Sequence, residues 1–350
     1  MIRLLIVEDS PVVQELLNYI FSSDPDIKIV GIARDGLEAL DKAVLLKPDI
    51  ITMDINMPNL NGIETTKKIM SSNPIPVVII SGSYDTKEVE LTFNAMDAGA
   101  LAVLAKPSGI NHPDFKNMAK EILITVKAMA EVKLVRRWSK PDSSTKVNGL
   151  ILNDRKQPSS EIKLVAIGAS TGGPIVLQKI LSALPKDFSV PILIVQHMSE
   201  GFIHGFVEWL NHSSSIHVKL AQPGEQLLPC HAYVAPDALH MGIDKYKRII
   251  LVDDMPINGL RPTVSFLFRS VANIIGSNSI GVLLTGMGSD GAEELKLLKE
   301  KGAVTIVQDK ESSVIYGMPG EAVKIGAETY ILSPEKIASV LTKLTNHLNK

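Results

Sequence analysis

Apolar runs of four to seven residues alternate with amphipathic stretches all along this chain, and the alternation breaks once, near the middle. In the first 130 residues the runs at 2–7, 27–32, 49–53, 76–80 and 101–104 carry no period-two polarity. They therefore predict strands buried on both faces. Helix-period stretches follow each of them, near 11–22, 36–46, 61–72, 86–97 and 112–133. Five strand–helix pairs predict a doubly wound parallel sheet, which binds ligands at the carboxyl ends of its strands.

From about 134 to 160 the pattern fails. Arg136, Arg137, Lys140, Lys146, Arg155 and Lys156 face only Asp142 and Asp154, and Pro141, Pro158 and several serines intervene. That composition predicts a solvated linker, although Ile151 and Leu152 could pack on a neighbouring unit. The alternation resumes at 162. Strands are expected at 162–168, 191–196, 216–219, 231–235, 248–252, 279–284, 303–307 and 329–332. Helices are expected at 173–183, 201–211, 262–275, 290–301, 318–325 and 334–347. The close succession of strands in 216–252 suggests a mixed second sheet with an antiparallel portion. The division expected is 1–130, a linker at 131–160, and 161–350.

With 36 Lys and Arg against 38 Asp and Glu, the formal net charge is −2 and no long run of one sign occurs. This argues against a nucleic-acid-binding surface. No segment reaches the roughly 18 uncharged apolar residues of a membrane span. The single cysteine, Cys230, excludes an internal disulfide and fits a reducing, cytoplasmic setting. Without a surrounding nucleophile motif it reads as a small residue at a strand edge.

Strand ends collect chemistry in the first unit. Glu8 and Asp9 follow the first strand, Asp54 the third, Ser81 the fourth and Lys106 the fifth. Clustered carboxylates repel one another, and an oxygen-liganded Mg²⁺ would relieve that repulsion. A central carboxylate, Asp54, could then serve as a phosphoryl acceptor while Lys106 pairs with a phosphoryl oxygen. Taken singly, each acid could be a helix cap; five suitable residues at the ends of four strands point to one pocket.

In the second unit a strand runs into Gly168-Ala169-Ser170-Thr171-Gly172-Gly173-Pro174. A dinucleotide turn is disfavoured, because its middle glycine is Ser170 and the next strand ends in His197 rather than an acid. The G-x-S-x-G spacing on a strand–turn–helix instead suits a nucleophilic serine, with the free N–H groups of the helix start available to an oxyanion. A glycine-rich turn with a capping serine is the competing reading of the motif alone. His197 and Asp290 also follow predicted strands, and a serine needs a base that is oriented by an acid. Asp309 and, more weakly, Asp237 are alternatives for the acid. His204, His212, His217, His231, His240 and His347 show no metal-ligand spacing and read as surface or half-buried residues. The order Ser–His–Asp separates the chain from the usual alpha/beta-hydrolases.

Residues 1–130 resemble a response-regulator receiver. The resemblance implies a flavodoxin-like fold, phosphorylation on Asp54, a switch formed by Ser81 and Lys106, and Mg²⁺ held by Glu8, Asp9, Asp54 and the Asn56 backbone carbonyl. It also implies a cis bond at Lys106–Pro107. The second half resembles the catalytic domain of CheB chemotaxis methylesterases. That likeness rests on Ile-Gly-Ala-Ser-Thr-Gly-Gly, Val-Gln-His-Met, Tyr-Val-Ala-Pro, the segment opening at Arg261, Leu-Thr-Gly-Met-Gly-Ser-Asp-Gly-Ala and Tyr-Gly-Met-Pro. It implies a triad of Ser170, His197 and Asp290, with Thr171 and Met287 at the oxyanion hole. It implies cofactor-free hydrolysis of glutamate methyl esters, and deamidation of glutamines, on methyl-accepting chemoreceptors. A CheA-type histidine kinase would be the phosphodonor and phosphorylation would relieve inhibition. The expected protein is a cytoplasmic monomer that binds no nucleic acid and inserts in no membrane. A receiver with a DNA-binding output, or an esterase fold reduced to a binding module, are the rival classes.

Overall fold

The structure, a computed structural model, describes residues 1–82, 86–107, 109–113, 115–132 and 161–345, with residues 86–91 described by their backbone alone. From position 133 the expected linker lies outside the described residues.

Leu4, Leu5, Ile6 and Val7 are all at most 1% exposed, as an uninterrupted apolar strand requires. They belong to β1 (Ile2–Val7), which is followed by α1 (Pro11–Ser22), β2 (Ile27–Ala33), α2 (Gly36–Leu46), β3 (Ile50–Met53) and α3 (Gly62–Ser72). Then come β4 (Val77–Ser81), α4 (Thr86–Asp97), β5 (Ala102–Ala105) and α5 (Phe115–Ala130). Asp35 and Asn61 cap α2 and α3 by accepting the N–H groups of Glu38 and Glu64, each at 2.9 Å. Caps of this kind contribute about 1 kcal/mol apiece. The five strands are parallel in the order β2-β1-β3-β4-β5, the flavodoxin-like order whose switch point lies between β1 and β3.

The second unit contains β6 (Leu164–Ala169), α6 (Gly173–Ser182), β7 (Ile192–Gln196), α7 (Ile203–Ser213), β8 (His217–Leu220) and β9 (His231–Val234). It continues with β10 (His240–Ile243), β11 (Ile249–Val252), α8 (Val264–Ile274), β12 (Ser279–Leu283) and α9 (Ala292–Glu300). The last elements are β13 (Val304–Gln308), α10 (Met318–Lys324), β14 (Tyr330–Leu332) and α11 (Pro334–Thr345). Seven strands form one sheet, β14-β13-β12-β6-β7-β9-β8, and every pair in it is parallel. The mixed sheet expected from 216–252 is thus corrected. The antiparallel part is a separate ribbon of β10 and β11, registered His240 to Val252 and Ile243 to Ile249. Strand β10 escaped the sequence reading because a glycine and a histidine interrupt its apolar run. That histidine, His240, is fully buried and stacked on Phe266 at 5.1 Å, where a surface or half-buried position was expected.

The chain leaves β6 toward β7 on one side and later returns to place β12 on the other. The switch point of this sheet therefore lies between β6 and β12, above Ser170. No described helix is long and apolar enough to cross a membrane.

The two sheets meet through helices. Phe93 of α4 packs against Phe206 and Trp209 of α7, with ring centroids 5.7 and 5.6 Å apart. The Asp97 carboxylate at the end of α4 accepts from Trp209 Nε1 at 3.1 Å and Gln178 Nε2 at 3.2 Å. Apolar contacts run without a break from the first unit into the second.

Candidate active site and phosphorylation pocket

Strand β1 ends in acid, and β3 delivers a second acid beside it. The carboxylate oxygens of Glu8, Asp9 and Asp54 lie within 4.8 Å of one another. Glu8 and Asp54 are buried, and Asp9 is exposed. Lys106 reaches in from the end of β5 and contacts Glu8 at 2.9 Å and Asp54 at 3.0 Å. Burial and the neighbouring Asp54 charge push Glu8 up to about 7, against the pull of Lys106. Burial also raises Asp54, again opposed by Lys106. Burial alone would lower Lys106, but the two carboxylates more than offset it and hold the ammonium above its ordinary range. Three acids thus share one lysine, so negative charge is in excess. That is the donor set a hard divalent cation with oxygen ligands fits. Ser81 is buried at the end of β4, and its carbonyl accepts the Lys106 N–H at 2.8 Å. Asn56 is exposed two residues beyond Asp54. The cis bond expected at Lys106–Pro107 is absent. The cis peptide among the described residues is Arg261–Pro262, and trans is the lower form of an X–Pro bond by about 0.5–1 kcal/mol.

In the second unit Ser170 follows β6, His197 follows β7, and Asp290 lies past β12 on the turn into α9. His197 Nε2 lies 2.9 Å from Asp290 Oδ2. The distance is that of an ion pair, although the N–H direction departs from a hydrogen-bond line. Nδ1 remains as the ring nitrogen available to a hydroxyl. Asp290 itself is anchored by the start of α8. Its oxygens accept the Val264 N–H at 2.7 Å and the Ser265 N–H at 3.1 Å, donors that every helix start leaves open. Burial would raise this carboxyl, but His197, the Ser265 side chain and the Val264 N–H hold it below the usual carboxylate range. Asp309 is spent elsewhere: its carboxylate accepts from the backbone N–H and the hydroxyl of Ser312. Asp237 accepts the Gly201 N–H at 2.9 Å and lines a second small cleft beside His197.

The serine turn is tied to its neighbours by backbone bonds. Ser170 N–H donates to the Thr285 carbonyl at 3.0 Å, and Gly173 N–H to the Ser170 carbonyl at 2.7 Å. The buried Thr285 hydroxyl donates to the Thr171 carbonyl at 3.0 Å and accepts the Ile315 N–H at 3.0 Å. At Gly286 a Cβ would lie 2.6 Å from that of Ser170, so only glycine lets the 286–288 turn come this close. The N–H groups of Thr171 and Met287 make no hydrogen bond among the described residues. Open donors thus lie on the serine turn and on the 286–288 turn packed against it, in a region that also holds a hydroxyl, an imidazole and an anchored carboxylate. Such a site can transfer an acyl group through an oxyanion. Ser170 and His197 line one cleft of about 50 Å³, and the Ser170 hydroxyl makes no hydrogen bond among the described residues. The other wall of that cleft comes from the first unit: Phe93, Met96, Leu101, Val103, Glu121 and Thr125. Sequence reasoning missed Thr285 and the facing wall. A buried threonine just past a strand and mostly apolar residues on α4, β5 and α5 carry no signal that separates them from ordinary core.

Residues 4–114 match the response regulator receiver domain model, and residues 165–341 match the CheB methylesterase model. A protein-glutamate methylesterase/protein-glutamine glutaminase of Syntrophus aciditrophicus is 54% identical over 98% of this chain and 98% of its own. One of the same name from Nitrosospira multiformis is also 54% identical, over 98% of this chain and 97% of its own. The crystal structure of the Thermotoga maritima CheB methylesterase catalytic domain is 38% identical, with a TM-score of 0.52. It covers 53% of this chain and 100% of that one.

Proposed function

This chain belongs to the CheB methylesterase family, and from that premise we propose that it is a phosphorylation-activated serine esterase. Its substrates on this reading are glutamate γ-methyl esters on the cytoplasmic helices of methyl-accepting chemoreceptors, and receptor glutamines that it deamidates. Residues 1–130 act as receiver, 131–160 as linker and 161–350 as esterase, in the cytoplasm and as a monomer. The contact of His197 with an Asp290 already held by two helix N–H groups, beside Ser170, is the observation that carries the proposal.

The Ser170 oxygen attacks the ester carbonyl while His197 takes its proton. The new C–O bond turns the carbonyl into an oxyanion, which the open N–H groups of Thr171 and Met287 stabilise; a single such donor is worth about 10²–10³ in kcat. Asp290 orients the imidazole and balances its charge. The oxyanion collapses, the bond to the methoxy group breaks, and His197 returns the proton to give methanol. Water then repeats the sequence on the seryl ester and releases the glutamate. An amide passes through the same intermediate with ammonia leaving. No cofactor enters this chemistry.

Control is assigned to the acidic pocket. A CheA-type histidine kinase supplies the phosphoryl group, whose bond to the kinase histidine breaks as one to an Asp54 oxygen forms. Glu8, Asp9, Asp54 and the Asn56 carbonyl would hold Mg²⁺, which supplies neutralisation of phosphoryl charge. Lys106 pairs with a phosphoryl oxygen, and Ser81 reports the change to β4, β5 and α4. The first unit walls the serine cleft, so resting protein is held closed and phosphorylation shifts the population toward an open form.

Methanol release from methylated receptor, with and without acetyl phosphate and Mg²⁺, tests both halves. Phosphorylation should raise the rate. Ser170→Ala should abolish turnover, by a factor on the order of 10⁶, while still taking phosphate on Asp54. Normal methanol release from that variant would remove the serine mechanism.

A further inference from the structure

A glutamine side chain offers two donors and one acceptor on a flat amide. Gln196 is the last residue of β7 and is 3% exposed. Its amide nitrogen donates to the Ser170 carbonyl at 2.9 Å and to the His197 carbonyl at 2.7 Å. The orientation is forced, because a turned amide would press its oxygen against two carbonyl oxygens. The cost appears at the other atom. Gln196 Oε1 is buried without a hydrogen-bond partner. It sits where a Cβ on residue 173 would come within 2.2 Å, so Gly173 keeps the space open. A buried acceptor left unpaired is rare enough to need a cause.

The ladder between β6 and β7 supplies that cause. Its last registered pair is Ala169 with Gln196, and the His197 N–H bonds the Ala169 carbonyl at 3.0 Å. Beyond that rung no backbone bond joins the serine turn to the histidine turn among the described residues. The two side chains that must exchange a proton thus stand on turns that leave the sheet separately, and the Gln196 amide is what ties one to the other.

We infer that Gln196 is a positioning residue of the esterase reaction, which fixes the separation between nucleophile and base by binding both main chains at once. The inference rests on the reading of Ser170 and His197 as nucleophile and base. Loss of the clamp lets the two turns drift, and a misplacement of about 1 Å at reacting groups costs on the order of 10²-fold in rate.

The test uses the full-length, phosphorylated protein with methylated receptor. Gln196→Met keeps the length and removes both donors. Its kcat should fall about 100-fold while KM stays within about twofold. Labelling of Ser170 by a fluorophosphonate should slow in proportion, with the thermal midpoint little changed. Gln196→Glu adds a readout that a packing role would not move. Its carboxyl donates only when protonated and then to one carbonyl at a time, so its deficit relative to the native protein should shrink, without vanishing, as pH falls from 8 to 6. An unchanged kcat, or a loss that merely follows the unfolded fraction, overturns the inference, as does a Gln196→Glu deficit that ignores pH. Ser170→Ala runs alongside. If it is dead while Gln196→Met is fully active, the clamp alone is wrong; if Ser170→Ala is active, the triad reading falls and takes the clamp with it.

Discussion

Glu8 is the residue whose ionisation the fold disturbs most visibly. It is pushed from an ordinary value of 4.5 up to about 7 by burial and by Asp54. The folded receiver thus binds this proton more tightly than the unfolded chain does. The stability it brings is complete below about pH 4.5 and drains away as pH rises through about 7. In Mg²⁺-free buffer the thermal midpoint should therefore decline between pH 5 and 8, and Glu8→Gln should flatten that decline. Equal slopes in the two proteins would show that Glu8 is not the titrating group. Mg²⁺ should bind more tightly across the same rise, since its ligands must lose their protons. At this scale the sequence was informative where a reactive residue type closes a predicted strand: Glu8, Asp54, Lys106, Ser170 and His197 all do. Asp290 was harder, because Asp309 also closes a strand. What separates them is the start of α8, whose N–H groups bind one carboxylate and not the other, a long-range fact with no local signature.

Among the elements, helices α4 and α7 bear the regulatory argument. Trp209 donates its indole N–H to Asp97 and stacks on Phe93 across the junction. A hydrogen bond to a charged acceptor contributes about 1.5–3 kcal/mol. Trp209→Phe retains most of the ring and deletes the bond. Resting methanol release, without phosphorylation, should rise about 10–150-fold, and the phosphorylated rate should stay nearly unchanged. A resting rate equal to that of the native protein would count against closure through this helix pair. Strand and helix positions were legible because both sheets are parallel and their strands read as plain apolar runs. Strand β11 was legible at 248–252, but its partner β10 was not, since a histidine and a glycine interrupt its short apolar run although all four of its residues are buried.

For the whole molecule, the question is how one unit restrains the other. A truncated chain of residues 150–350 lacks the wall that Phe93, Met96 and Glu121 place over Ser170. It should release methanol faster than the unphosphorylated full-length protein, and acetyl phosphate should not change its rate. Equal rates would mean that the receiver acts by something other than covering the cleft. Sequence could show that two sheets exist and that each keeps its chemistry at the carboxyl edge. It could not show which faces meet, because residues that join two units look the same as residues that fill one.

The aromatic seam has a further consequence. Phe206 and Trp209 are at most 4% exposed while α4 lies against them. Whenever the units part, these rings enter water together with Phe93, as an apolar patch of the kind that soluble proteins seldom leave uncovered. If phosphorylation opens the cleft, the active form is the stickier form. Its colloidal lifetime would depend on protein concentration, and prompt loss of the phosphoryl group would serve solubility as well as signalling.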